Sequence, residues 1–333
     1  MSLNISIVWA TGAVGREMIE CIYQKNIPFD NLKLFGSSRS AWSIMETSFW
    51  DMQIRELTED ELEDVDVCLF SAWSEVSKKR AETIVSKWIV MIDNSSAFRY
   101  DENVPLVIPE INSEDIWNNK LIANPNCTTA ILDIVVYPIY KSYGIQKMIV
   151  STYQATSGSW DEWIQELIDS TAMYLEGQEV TFMTYDYPIA FNHIPAIDQP
   201  QDNLYTKEEM KVSWETRKIF GDDNLNISCT AVRTPTVRSH CESVTIETSN
   251  DVDLQEIRKI LDKSPWVELM DDLENKIYPM PYNTTSKWEV GVGRIRKNNI
   301  FGNKGLDLFI SGDQLLKWAA LNAVQIMESC FCK

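Results

Sequence analysis

The first 25 residues constrain the fold most. Residues 4–8 (NISIV) read as a buried strand. Trp9-Ala10-Thr11-Gly12-Ala13-Val14-Gly15 follows, and then a helix from about Arg16 to Lys25. Strand, glycine-bearing turn and helix, in that order, form the context of a dinucleotide-binding turn. There the backbone approaches a pyrophosphate and a helix N-terminus faces it. In a G-x-x-G-x-x-G pattern Gly12 and Gly15 hold the second and third places, and Trp9 stands in the first. The alternative is an ordinary tight βα turn.

Residues 32–36 (LKLFG) read as a second strand that ends in Ser37-Ser38-Arg39-Ser40. In a doubly wound sheet this strand end meets the adenosine ribose, where a carboxylate selects NAD and an arginine accommodates the 2′-phosphate of NADP. Arg39 has hydroxyl neighbours and no carboxylate follows until Glu46, which favours NADP. A solvated loop arginine is the other reading. Residues 65–71 and 89–93 read as further parallel strands, with a helix near 75–87 between them. Arg99 follows the second of these strand ends, where ligands bind in such sheets, and its planar fork suits phosphate or carboxylate.

From about Ile145 the pattern changes. Residues 147–153, 226–233, 242–248, 289–296 and 306–311 read as strands of a larger mixed sheet. Helices are expected near 161–175, 207–219, 253–262 and 313–329, the last returning to the first domain. The fold class is therefore α/β, a Rossmann-type dinucleotide-binding domain, followed by an α+β domain with a mixed sheet.

Between the halves lies Asn124-Pro125-Asn126-Cys127-Thr128-Thr129. Pro125 ends a short strand, and Thr128 or Thr129 is placed to cap a helix through Tyr140. Cys127 then sits at a helix N-terminus, where the dipole favours the nucleophilic thiolate. A lone cysteine is ordinarily a small buried hydrophobe, but these polar, turn-forming flanks favour the nucleophile. The seven cysteines show no framework spacing, and Cys330 with Cys332 lacks a second pair for zinc, so reduced thiols and no metal site are expected. We expect neither a secretory signal nor a membrane span, which places the chain in the cytoplasm. A formal charge of −19 argues against nucleic acid and anionic membrane as partners, though not against a small anionic substrate met by local cations. With two histidines present, a histidine proton shuttle is His193 or His240. His193, beside Pro195 in a mostly apolar run, reads as a buried structural histidine; His240, after Arg238 and Ser239 in a turn, is the better catalytic candidate.

The stretches ATGAVG (10–15), SSRSA (37–41), IDNSSAFR (92–99), NPNCTT (124–129), QATSG (154–158), EEMKVSWETRKIF (208–220) and VRTPTVRSH (232–240) are collinear and specific. So are IAFNHIPAID (189–198), YPMPYN (278–283), VGRIR (292–296) and AALNAVQI (319–326). Through them the chain resembles aspartate-semialdehyde dehydrogenase over essentially its whole length. That resemblance implies NADPH-dependent reduction of L-aspartyl 4-phosphate to aspartate semialdehyde and phosphate, by a homodimer serving lysine, threonine, methionine and isoleucine synthesis. It implies an NADP-binding domain over 1–127 completed by 313–333, and a catalytic and dimerisation domain over 128–312. It assigns Cys127 as nucleophile, Gln154 as the residue orienting substrate, and His240 as acid/base. It gives Arg233 and Glu208 to the substrate carboxylate and amino group, and Arg99 and Lys211 to phosphate. Thr11, Gly12, Ala13, Val14, Arg39, Ser40, Ser157, Gly158 and Gln314 match NADP contacts, although the family usually has Asn at position 314. Competing readings are N-acetyl-glutamyl-phosphate reductase and a catalytically silent dimeric binding protein.

Against the family pattern, Trp9, Trp42, Trp50, Trp73, Trp88, Trp160, Trp266 and Trp318 stand where glycine is usual, and Trp163 is a ninth candidate. Trp117, Trp214 and Trp288 need not belong to this set. Twelve tryptophans against only twelve glycines is an unusual balance for an α/β enzyme. Such a uniform exchange is what a UGA codon would give, since it is read as Trp in some genetic codes and as Gly in others. Several of these positions are turns and are expected to need φ > 0.

Overall fold

A computed structural model describes residues 3–159 and 161–331 of the chain. It divides into two compact units: the chain up to Asn126 together with Leu315 onward, and Cys127–Gln314.

Among the described residues of the first unit, seven strands form one sheet. They are β1 (Leu3–Val8), β2 (Phe29–Gly36), β3 (Ile44–Met45), β4 (Met52–Glu56), β5 (Val67–Phe70), β6 (Val90–Asp93) and β7 (Leu121–Ala123). Their order is β3-β4-β2-β1-β5-β6-β7, parallel throughout except for the β3–β4 pair. β5 and β6 are buried at every position, as expected of parallel strands covered on both faces. The apolar runs at 4–8, 32–36, 65–71 and 89–93 therefore mark β1, β2, β5 and β6. Strands β3 and β4 carry no such run. β4 (MQIRE) alternates, burying Met52 and Ile54, and β3 at the sheet edge is two residues long, so neither presents an apolar run.

In the second unit the order is β11-β12-β13-β10-β8-β9, with β8 (Ile145–Gln154), β9 (Asn226–Arg233), β10 (His240–Thr248), β11 (Val267–Leu269), β12 (Val290–Lys297) and β13 (Gly305–Gly312). β8 runs parallel to β9 and antiparallel to β10, and β10 antiparallel to β13. The helix Cys127–Tyr143 packs on this sheet and is buried through most of its first three turns. It begins at Cys127 itself, so Thr128 and Thr129 lie inside its first turn and do not cap it.

The terminal helix was expected as one piece over 313–329. It runs instead with wider i→i+5 turns over Gln314–Leu321 and continues as an α-helix over Asn322–Phe331. From Leu315 on it belongs to the first unit. Buried Lys317 donates to Glu110 Oε1 at 2.7 Å, and Asn322 Nδ2 donates to the Val107 carbonyl at 2.9 Å.

Candidate active site

Strand register assembles the site in the second unit. β8 pairs with β9 so that Gln154 lies opposite Arg233, both at their strands' last residue. β10 pairs with β13 so that His240, its first residue, faces Gly312. Three chemically distinct side chains far apart in sequence thus meet at one end of one sheet. All three are buried.

Cys127 Sγ lies 3.6 Å from His240 Nε2, within the reach expected of a sulfur pair. On the other side of the ring the Ala155 backbone N–H donates to His240 Nδ1 at 3.1 Å. That bond makes Nδ1 an acceptor, so neutral His240 carries its proton on Nε2, the nitrogen facing the sulfur. Burial, and next the Arg233 guanidinium, push the His240 pKa down to about 3, while Glu208 acts the opposite way. His240 is therefore uncharged at neutral pH. The residue before it, Ser239, has φ 72°, an uncommon left-handed conformation for a non-glycine residue and one found where a site demands it.

Gln154 Nε2 donates to Glu208 Oε1 at 3.0 Å, and Lys211 Nζ donates to Glu208 Oε2 at 2.7 Å and to Asp198 Oδ2 at 2.8 Å. The helix Lys207–Phe220 places Glu208 and Lys211 one turn apart on the same face. A capping box fixes its start: the Glu209 N–H donates to Thr206 Oγ1, and the Thr206 N–H donates to Glu209 Oε2. For Lys211 the largest influence, burial, lowers its pKa. The two carboxylates together outweigh it and raise the ammonium above lysine's usual value. Arg233 is lowered by burial, with Tyr185, Glu208 and Cys127 acting against that. Its Nη1 donates to the Ala155 carbonyl at 2.5 Å.

Gln314 accepts from the Ser239 N–H at 2.9 Å through Oε1, and its Nε2 donates to Ser157 Oγ. Its amide thus braces the 156–159 turn against the segment leading into His240. Gly158 sits in the same turn. A Cβ there would lie 3.2 Å from His240 Cε1 and Nε2 and 3.5 Å from Arg233 Nη1. Because His240 is buried and pinned by Ala155, it has little room to give way. Gly158→Ala is expected to lower kcat by roughly tenfold to a hundredfold through misplacement of the imidazole, with a melting temperature lowered by only a few degrees. Parallel kinetics and thermal melts check this.

The first unit holds the other candidates. Gly12 precedes the helix Ala13–Gln24, and no side chain caps that helix start. A Cβ on Gly15 would lie 2.5 Å from the Trp9 carbonyl, so strand and helix pack there as closely as a dinucleotide turn requires. Thr11, Ala13 and Val14 complete the turn. Exposed Arg39 and half-buried Ser40 follow β2, with Ser40 Oγ donating to the Ser37 carbonyl at 3.2 Å. Arg99 is buried, its Nε donating to the Asn124 carbonyl at 2.9 Å and its Nη2 to the Asn94 carbonyl at 2.6 Å.

One expectation fails. His193 is exposed, not a buried structural histidine; its loop keeps it at the surface although its sequence neighbours are apolar. Two contributors escaped sequence reading. The Ala155 N–H is a backbone group with no residue-type signal. Asp198 is an ordinary loop carboxylate until the fold sets it beside Lys211.

Six described cysteines are free thiols. Cys21, Cys68, Cys229 and Cys241 are buried. Burial pushes Cys21 and Cys68 up to about 12 and Cys241 to about 11, and raises Cys229 as well. Cys127 is only half-buried.

Comparison with known proteins places these features in a family. The profile described as "Semialdehyde dehydrogenase, NAD binding domain" matches residues 4–119, and "Semialdehyde dehydrogenase, dimerisation domain" matches residues 136–317. The aspartate-semialdehyde dehydrogenase of Bacillus subtilis is 43% identical over 98% of this chain and 97% of its own. That of Aquifex aeolicus is 40% identical over 98% of both chains. A crystal structure of aspartate semialdehyde dehydrogenase II complexed with ASA from Vibrio cholerae superposes with a TM-score of 0.96. It is 37% identical and covers 100% of this chain and 99% of that one.

Proposed function

We propose, on the premise that the chain belongs to the aspartate-semialdehyde dehydrogenase family, that it reduces L-aspartyl 4-phosphate to L-aspartate 4-semialdehyde and phosphate with NADPH. The observation that carries this reading is the Cys127–His240 pair at 3.6 Å, set among buried Gln154, Arg233 and Glu208. In our reading the Cys127 thiolate attacks the acyl carbon, the carbon–oxygen bond to phosphate breaks, and a thioester forms on sulfur. A thioester is a good hydride acceptor. NADPH supplies the hydride when bound. The uncapped start of Ala13–Gln24 and the Gly12–Gly15 turn suit its pyrophosphate, and Arg39 suits its 2′-phosphate. Ser157 and Gly158 complete the cofactor set, with Gln314 bracing them.

His240 keeps a proton at Nε2. It stabilises the thiolate before attack and the oxyanion that develops on the former acyl oxygen, acting as an acid through that N–H. Gln154 orients the substrate beside the sulfur. Arg233 receives the α-carboxylate and Glu208 the α-ammonium, while Lys211 and Arg99 serve the phosphate. A free α-ammonium would join Lys211 and Gln154 in donating to Glu208, whereas an N-acetylated nitrogen carries no charge and brings an acyl group to that carboxylate, which favours the free amino acid.

We place the enzyme in the cytoplasm as a homodimer. The dimerisation-domain match and the six free described thiols support this. Among the described residues no helix is long and apolar enough to cross a membrane. The −19 charge supports the absence of nucleic-acid and anionic-membrane partners.

The test follows NADPH formation from aspartate semialdehyde, NADP and phosphate. Activity should require all three and be lost when N-acetyl-glutamate semialdehyde replaces the substrate. Equal kcat/KM on the acetylated compound would overturn the substrate assignment.

A further inference from the structure

Trp9, Trp42, Trp88, Trp117 and Trp266 have φ of 68°, 70°, 65°, 33° and 60°. They make up five of the fourteen non-glycine residues with positive φ among the described residues. Asn and Asp reach that region by local hydrogen bonding; a bulky side chain there is an outlier, because its Cβ crowds the following carbonyl. Tryptophan has no local bond that compensates.

Each position does a glycine's work. Trp88 ends the helix Ser74–Ser86, with its N–H donating to the Val85 carbonyl at 2.9 Å. Gly221 ends Lys207–Phe220 in the same way, at φ 64° with its N–H donating to the Lys218 carbonyl at 3.3 Å. The left-handed residue closing a helix is usually glycine. Trp117 combines φ 33° with ψ −125°, outside every region that L-residues ordinarily populate. Trp9 lies in the tight turn before Ala13–Gln24, with its carbonyl accepting from the Gly12 N–H at 3.1 Å.

Packing does not account for the indoles of Trp42, Trp88 and Trp117, which are 63%, 79% and 79% exposed. Trp9 is half-buried against the cluster around Val8 and Phe70, and the Trp266 ring lies 5.9 Å from that of Trp288, so at these two the backbone alone points to glycine. Trp163 shows the contrast: its ring meets Tyr185 edge-on at 4.3 Å beside Leu167 and Ile189, as a tryptophan selected for packing does. Trp163 therefore leaves the set suspected from sequence, and Trp117 enters it. Trp73 has φ −65°, so its backbone does not demand glycine. Trp160 lies outside the described residues, as does the side chain of Trp318.

We propose that residues 9, 42, 88, 117 and 266 are glycine in the polypeptide its own cell makes. The tryptophans are then UGA codons read under a different genetic code. The backbone fits glycine at all five places and exposure at three of them, and one codon explains one residue type replacing one other. The inference goes beyond the assigned activity and does not depend on it.

Three readouts test it, none of them turnover. The five codons should be UGA. Peptide mass spectrometry of the protein purified from its source cell should find glycine at all five positions. A recombinant chain carrying Trp9→Gly, Trp42→Gly, Trp88→Gly, Trp117→Gly and Trp266→Gly should melt on the order of 10 °C above the sequence as written. Tryptophan in the native peptides at positions 9 and 117, UGG at those codons, or a glycine version that melts no higher would overturn the proposal.

Discussion

Cys127→Ala abolishes turnover and leaves the fold intact. If sulfur forms the acyl intermediate, its loss removes the reaction path, not one contribution to it, and the expected fall in kcat is about 10⁵-fold or more. The fold should survive for a local reason. Cys127 is the first residue of its helix and half-buried, and alanine is the best helix former, so little buried contact and no propensity is lost. The measurements are steady-state kinetics beside a thermal melt, with intact mass after mixing with aspartate semialdehyde and NADP in the absence of phosphate. The native enzyme should accumulate a covalent adduct on Cys127 and the variant none. Residual turnover above about one per cent in a folded variant would sink the covalent route.

His240→Asn is expected to cost roughly 10²- to 10⁴-fold in kcat, the range for removal of a positioned proton donor. A second effect separates chemistry from structure. The His240 pKa is depressed to about 3 in the folded chain, against about 6.5 for an unperturbed histidine. Between those values the unfolded chain binds a proton that the folded chain does not, so this residue makes stability rise with pH across that window. Its contribution is complete above about pH 6.5 and is lost as pH falls toward 3. Melting temperatures over that range should be less acid-sensitive in His240→Asn than in the native enzyme. An equal acid slope would mean that the imidazole is not held neutral, and the assignment of Nδ1 as the acceptor of the Ala155 N–H would fail.

Much of the fold was legible because it is written locally. Covered parallel strands show as apolar runs, and the helix expected near 207–219 begins at Lys207. Short strands such as β4 and the edge strand β3 leave no apolar run to read. Burial of a histidine is another matter. His193 has the apolar neighbours and lies exposed, whereas His240 has polar neighbours and is buried. The difference arises from the pairing of β8, β9, β10 and β13, contacts between residues roughly 60 to 100 positions apart. The residues proposed as nucleophile, proton donor and substrate cations were legible through motif resemblance; the arrangement of Cys127, His240, Gln154 and Arg233 within the second unit was not. It depends on register, on one backbone N–H from Ala155, and on Gln314, whose side chain joins two loops. Trp117 was missed for a similar reason, because a side chain's name does not reveal the backbone angle it is asked to adopt.

The distribution of thiols has a practical consequence. Four of the six described cysteines are buried and held protonated well past neutral pH, so an alkylating reagent finds neither access nor a nucleophile there. Cys127 combines partial access with a helix N-terminus and a hydrogen-bond donor. Limiting iodoacetamide therefore acts as an active-site titrant: the protection that substrate gives against labelling separates Cys127 from the equally half-buried Cys330. The moles of label needed to extinguish turnover then count the competent sites in a preparation, independently of total protein.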